Sequence, residues 1–187
     1  MNIITVTLPD NNKVFLIDDF FPKQLADNIL NFFKQWHEDT GNWQSLPEFS
    51  HYLGRLSYTN NHGIVDQVRN YASSDEVVSQ LVDLIGPVDS NPGVHFWVDT
   101  ENYQINPHYD SMPTNSKFYG LQIFFSSGID YTLGTHFYLD RRVMFNLPLR
   151  QNYAYLVDRG DKVLHGLPCA VPLNKNRYSI HLKYQTL

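Results

Sequence analysis

The side chains best suited to chemistry in this sequence fall in three short stretches: INPHYDSMP (residues 105–113), VLHGLP (163–168) and RYSIHLKY (177–184). In an extended strand, residues two apart point to the same side. His108 and Asp110 can therefore address one ion from a single stretch, while Tyr109 faces the other way. A second H-x-D triplet, His37-Glu38-Asp39, serves as an internal control. It falls at the end of an amphipathic helical pattern, where positions two apart diverge by roughly half a turn, and reads as a solvated helix end. His165 supplies a third donor: it follows an apolar, strand-like run and precedes Gly166, which permits close backbone approach. Two histidines and one carboxylate form the facial ligand set of non-haem Fe(II) oxygenases and leave three coordination positions open. The same donors also suit a hydrolytic zinc ion.

Arg177 and Ser179 share one face of the last strand with His181 and Lys183. A planar guanidinium fork beside a hydroxyl is the chemistry that holds a carboxylate bidentately in a partly dry pocket. A zinc hydrolase has no obvious use for that pair. The plainer alternative is a polar, solvent-facing strand whose other face, Tyr178, Ile180, Leu182 and Tyr184, lies on the core. Among the remaining histidines, His181 is placed to line a pocket, whereas His95 and His136 read as satisfied or solvated strand residues. Trp97, Tyr119 and Phe137 suit either a channel wall or simple core.

These residues must be positioned by a scaffold, and its elements are legible. From Gly93 onward, β-branched and aromatic runs alternate with turn residues: GVHFWV, FYGLQIFF, THFYL, RVMF, NYAYLV, KVLH and RYSIHLKY. Such a succession of short antiparallel strands predicts a sandwich or barrel with helices on one outer face. The first third predicts those helices. Pro22 suits a first helical position, followed by Leu25, Ile29, Phe32, Phe33 and Trp36 on one face. A second helix begins with Ser74 as N-cap, carries Asp75 and Glu76 in its first turn, buries Val77, Val78, Leu81, Val82 and Ile85, and stops at Gly86-Pro87.

At 187 residues, with no linker-like tract, the chain suits one domain: 1–92 as mainly helical support and 93–187 as the β core. With 42% hydrophobic residues it is too apolar for disorder, yet its apolar runs are too short to cross a bilayer. The start lacks the order of a secretory signal, and the single cysteine cannot form an internal disulfide, so a cytoplasmic location is expected. Cys169, between two prolines, reads as a small buried hydrophobe. A net charge of −5 and the absence of any basic run longer than Arg141-Arg142 disfavour nucleic acid as a partner.

The order H-Y-D, then His165 in LHG, then R-Y-S resembles the 2-oxoglutarate and Fe(II)-dependent dioxygenases, particularly the prolyl-hydroxylase-like group. The resemblance spans residues 93–184, and DDFFP and GTHFY are similar to that group as well. It implies a double-stranded β-helix, or jelly roll, with the N-terminal helices packed on one sheet. It also implies Fe(II) held by His108, Asp110 and His165, with 2-oxoglutarate as cosubstrate. Arg177 would then meet the distal carboxylate of 2-oxoglutarate, Ser179 would be a second donor to it, and Tyr103 would match a tyrosine that reaches the same group. The implied reaction hydroxylates a C–H bond of a peptidyl residue or small molecule and releases succinate and carbon dioxide. Selectivity would rest on loops such as DSMPTNSKF (110–118). Many prolyl hydroxylases carry Lys where this chain has Arg177. Family members that demethylate nucleobases carry a second Arg where this chain has Lys183. An AlkB-like nucleobase demethylase, using a basic surface near Arg150, Arg159 and Lys183, is the alternative enzyme. A cupin-like metal-binding barrel without turnover is the alternative outside enzymology.

Overall fold

The alternating pattern of the C-terminal half resolves into two antiparallel sheets. The computed structural model describes residues 1–187 except 38–40, 46–53, 61, 111–117 and 159–160, and of Trp36 the backbone only. The larger sheet has eight strands in the spatial order β1 (Asn2–Thr7), β2 (Lys13–Asp18), β10 (Tyr153–Val157), β7 (Phe118–Phe125), β12 (Arg177–Gln185), β5 (Gly93–Asp99), β4 (Arg55–Tyr58) and β3 (Trp43–Ser45). The smaller has the order β6 (Ile105–His108), β11 (Leu164–Leu167), β8 (Asp130–Leu139) and β9 (Arg142–Leu149). Between β8 and β9 the chain reverses through Asp140 and Arg141, both at positive φ (48° and 64°), the geometry that matches the right-handed twist of a two-residue hairpin.

Because side chains alternate along a strand, β2, β7 and β10 of the larger sheet each serve two cores. One face carries Phe15, Ile17, Leu121, Ile123, Phe125, Ala154, Leu156, Ile180 and Leu182. These pack against Ile29 and Phe33 of α1 (Lys23–Trp36), Val68 of α2 (Gly63–Ala72) and Val77 of α3 (Asp75–Ile85). The opposite face sends Val14, Phe124, Tyr155 and Val157 toward Leu133, Phe137, Leu147 and Leu167 of the smaller sheet. Two facing antiparallel sheets with helices on one outer face make the expected jelly roll.

The N-terminal part differs from the helical expectation in two ways. Residues 1–92 also contribute β1 to β4, half of the strands of the larger sheet, and a third helix, α2. Their strands are short or sit at sheet edges: β1 is mostly exposed and β3 has three residues, so neither carries a strong alternating signal. The α3 boundaries match the expected Ser74 cap and Gly86 stop, but Val82 is 36% exposed rather than buried. Cys169 is exposed, which corrects the expectation of a buried hydrophobe: the turn it occupies lies outside both cores. Glu38 and Asp39 of the control triplet lie outside the described residues, and His37 caps the end of α1.

Candidate metal centre

Strands β6 and β11 are neighbours, and their register sets His165 directly opposite His108. The two imidazole rings stand 4.7 Å apart. A Cβ on Gly166 would come within 2.8 Å of the Ile105 carbonyl, so the glycine allows β11 to lie this close to β6. It does so within strand β11 (Leu164–Leu167), as the close approach expected of it requires. Asp110 follows the end of β6 by two residues and returns its carboxylate to the same spot: Oδ1 lies 3.8 Å from His108 Nε2 and 3.6 Å from His165 Nε2. The three donor atoms fall within 4.8 Å of one another. Tyr109 is turned outward and exposed, as the alternation required.

The hydrogen bonds fix which nitrogens are available. Nδ1 of His108 is 3.0 Å from the Asn106 carbonyl, and Nδ1 of His165 is 3.0 Å from the Val163 carbonyl. A carbonyl only accepts, so each Nδ1 carries the proton and each Nε2 lone pair faces Asp110. Burial, then the neighbouring His165, lowers the pKa of His108, against the opposing pull of the Asn106 carbonyl and Asp110. A neutral ring with a free lone pair is the state a metal requires. Phe137 stacks on His165 at 6.1 Å and Tyr155 meets it edge-on at 6.1 Å, so the inner ligand is held by aromatic walls. His165 is buried, while His108 and Asp110 stand nearer the solvent. The centre therefore has a dry side and an open side.

The strand expected to hold a carboxylate lies on the dry side. Arg177 is 3% exposed. Its Nε donates to the Leu133 carbonyl (2.9 Å), Nη1 to Asp99 Oδ2 (2.6 Å) and Nη2 to Thr135 Oγ1 (3.3 Å). Phe124 covers the guanidinium at 4.5 Å. One hydrogen on each terminal nitrogen thus has no acceptor among the described residues, the pair of donors that a carboxylate engages bidentately. Ser179 is fully buried and accepts from Gln122 Nε2 (3.2 Å), whose Oε1 accepts from the Tyr155 hydroxyl (2.8 Å). Burial, reinforced by the Asp110 charge, raises the Tyr155 pKa and keeps that hydroxyl a donor. Tyr103 is also fully buried, and its ring lies under the Arg55 guanidinium at 4.4 Å.

Sequence reasoning missed Arg55, Asp99, Thr135, Gln122 and Tyr155. Asp99 closes the apolar run GVHFWVD, where a carboxylate ordinarily reads as a solvated strand end, and nothing in the letters tied it to Arg55 or Arg177. Of the secondary candidates, His181 and Trp97 share the inner face with Arg177 and lie 4.8 Å apart. Phe137 belongs to the core between the sheets, and Tyr119 packs on the helix side. Arg150 is engaged by Asp18 and Tyr153, and Arg159 lies outside the described residues.

No protein-family model and no curated protein matches the sequence. Solved structures do match the fold. A prolyl-4-hydroxylase from Pseudomonas putida superposes with a TM-score of 0.69 at 12% identity, over 93% of this chain and 92% of that one. A prolyl hydroxylase from Trichoplax adhaerens, solved with a hypoxia inducible factor peptide, gives 0.68 at 12% identity over 91% and 82%. HygX from Streptomyces hygroscopicus, solved with nickel, 2-oxoglutarate and hygromycin B, gives 0.64 at 9% identity over 95% and 84%. The chain therefore has the fold shared by prolyl hydroxylases and other 2-oxoglutarate oxygenases, the fold that its H-Y-D, LHG and R-Y-S stretches implied.

Proposed function

We propose that the protein is a non-haem Fe(II) and 2-oxoglutarate-dependent dioxygenase that hydroxylates a peptidyl residue or a small molecule, with release of succinate and carbon dioxide. One observation carries this reading: two histidines, both with Nδ1 committed to backbone carbonyls, direct Nε2 at a single carboxylate on the same side of the jelly roll as a buried arginine fork. The donor set fits iron in chemistry and in number, and it leaves positions for exogenous ligands.

In this reading His108, Asp110 and His165 hold the metal, and Arg177 binds the distal carboxylate of 2-oxoglutarate. Ser179 accepts from Gln122 and so keeps its own hydroxyl hydrogen for that carboxylate. Tyr103 closes the pocket beneath Arg55. Iron with 2-oxoglutarate supplies the oxidising power, and the chain's share is placement and exclusion of water. The aromatic wall of Phe137, Tyr155 and Phe124 keeps the inner side dry, which strengthens every charge interaction there. The open side, beside the exposed Tyr109, is where substrate would enter; residues 111–117 of the expected selectivity loop lie outside the described residues. A peptide or small metabolite fits the chain's acidic balance better than nucleic acid. We place this activity in a single domain, as the length and the lack of a linker-like tract suggest, and in a reducing cytoplasm, on the strength of the lone cysteine.

The deciding experiment is an anaerobic titration of metal-free protein with Fe(II) and then 2-oxoglutarate, followed by visible absorption, with His108→Ala as control. A saturable charge-transfer band in the wild type and none in the variant is expected. Iron uptake without any band on adding 2-oxoglutarate would overturn the dioxygenase reading.

A further inference from the structure

The hydrogen bonds behind Ser179 run in one sense, and Arg177 sets it from the other end. Gln122 lies buried between two hydroxyls: Oε1 is 2.8 Å from the Tyr155 hydroxyl, and Nε2 is 3.2 Å from Ser179 Oγ. The sheet register fixes these neighbours. Tyr155 of β10 stands opposite Gln122 of β7, and Ser179 of β12 lies on the diagonal, two residues from the His181 that faces Gln122. A side-chain amide has nearly the same shape either way round, and each hydroxyl both donates and accepts, so these contacts alone permit two senses. In one, Ser179 accepts from Gln122 and keeps its hydrogen. In the other, it surrenders that hydrogen to Gln122 and has none for a ligand.

A guanidinium only donates, so Thr135 Oγ1 accepts from Arg177 Nη2 at 3.3 Å, and the Thr135 hydrogen is directed elsewhere. Its target is the Tyr155 oxygen. Burial, then the Asp110 charge, raise the Tyr155 pKa, and the Arg177 charge and a hydrogen bond from Thr135 oppose them, as a donor to that oxygen must. Edge-on contacts with Phe137 (5.3 Å) and His165 (6.1 Å) hold the Tyr155 ring in place. An oxygen that accepts from Thr135 passes its own hydrogen to Gln122 Oε1, which turns Nε2 toward Ser179. Building on the cosubstrate assignment made above for Arg177 and Ser179, we infer that Tyr155 and Gln122 are positioning residues of that pocket: they orient the Ser179 hydroxyl so that it can only donate. Arg177 and Ser179 then present donors alone, which suits an acceptor-only carboxylate.

A double-mutant cycle between Tyr155 and Ser179, which share no hydrogen bond, separates this role from simple structural support. The affinity of the Fe(II)-loaded, anaerobic protein for 2-oxoglutarate is measured for Tyr155→Phe, Ser179→Ala, Gln122→Leu and the two double variants that contain Tyr155→Phe. Iron binding and melting temperature are recorded for each. Tyr155→Phe keeps the ring against His165, so iron affinity should be unchanged. The released amide is then free to turn and take the Ser179 hydrogen, which should weaken 2-oxoglutarate by about tenfold. Ser179→Ala should cost about tenfold as well, and adding Tyr155→Phe to it should cost nothing further, because the hydrogen to be oriented is gone. Gln122→Leu removes the competing acceptor and should stay within about twofold of wild type, and it should restore Tyr155→Phe to that level. Undiminished affinity in Tyr155→Phe, losses that multiply in the cycle with Ser179→Ala, or no recovery with Gln122→Leu would overturn the inference while leaving the dioxygenase reading intact. A wild type that takes up iron but no 2-oxoglutarate would overturn both.

Discussion

The two faces of β12 differ as much as any two regions of the molecule. Tyr178, Ile180, Leu182 and Tyr184 look toward the helices and join a continuous apolar core. Arg177, Ser179 and His181, each one residue away, look between the sheets into a layer of charge, hydroxyl and imidazole. One strand thus carries stability on one side and chemistry on the other, and the period of two keeps them apart. Substitutions on the two faces should therefore fail in different assays.

The largest effect belongs to the proposed metal ligands. His165→Ala should lose iron, and with it turnover by at least about a thousandfold, roughly 4 kcal/mol of barrier, without a comparable loss of fold. Metal analysis of the purified variant checks this, and undiminished iron would remove His165 from the ligand set. Arg177→Ala, on the same chemical side, should retain iron but weaken 2-oxoglutarate by about a hundredfold, near 2.7 kcal/mol, because a buried charge-assisted contact is lost. Equal cosubstrate affinity in variant and wild type would sink that role.

Across the strand, Ile180→Ala should do the reverse. Ile180 is fully buried against the helix-side core, and truncating it should cost about 2–5 kcal/mol of unfolding free energy by denaturant titration. At temperatures where the variant is folded, 2-oxoglutarate affinity should stay near that of the wild type. A large affinity loss at full stability would show that the two faces are not independent.

How much of this was legible in letters follows from the same periodicity. FYGLQIFF was readable as an apolar, aromatic run buried on both faces, and RYSIHLKY through the alternation of its polar and apolar residues. His108, Asp110 and His165 stood out through residue type and spacing, and Arg177 and Ser179 through their shared face. What stayed hidden depended on pairing between distant strands. Arg55 and Asp99 are separated by 44 residues, and they meet only because β4 lies beside β5. Strands β1 and β3 were missed because an exposed edge or a three-residue run carries no pattern to read. Gln122 looked like one polar interruption in an apolar strand, although it links Tyr155 to Ser179.

The chemical face also has a stability signature. His181 packs against both Trp97 and His95, and its pKa is pushed well below the ordinary 6.5 by burial first, then by the charge of Lys183 and His95. His95 and His136 are lowered as well, chiefly by burial. A histidine whose folded pKa is depressed contributes stability above its unfolded pKa and loses it as pH falls, because the unfolded chain takes up the proton first. The melting temperature should therefore drop below about pH 6.5, with each such histidine adding at most about 1.4 kcal/mol per pH unit. His181→Gln should flatten that slope. An unchanged slope would mean that the ring is not held neutral by its surroundings.

The smallest expected effect tests how far the chemical face extends. Lys183 shares the face of Arg177, six residues along the same strand, and bears the same charge, yet it is exposed where Arg177 is 3% exposed. Flanked in register by Gly93 and Gly120, it meets solvent instead of a walled pocket. A solvated ammonium interacts weakly with a carboxylate several residues inside, so Lys183→Ala should change 2-oxoglutarate affinity by no more than about twofold. A large loss would extend the cosubstrate pocket outward along β12. Loss of single-stranded nucleic acid binding, steeply dependent on salt, would instead give Lys183 the place of the second arginine and revive the demethylase alternative. Burial, not charge or strand position, is what should separate these two cations, because only a desolvated charge is strong enough to select a ligand.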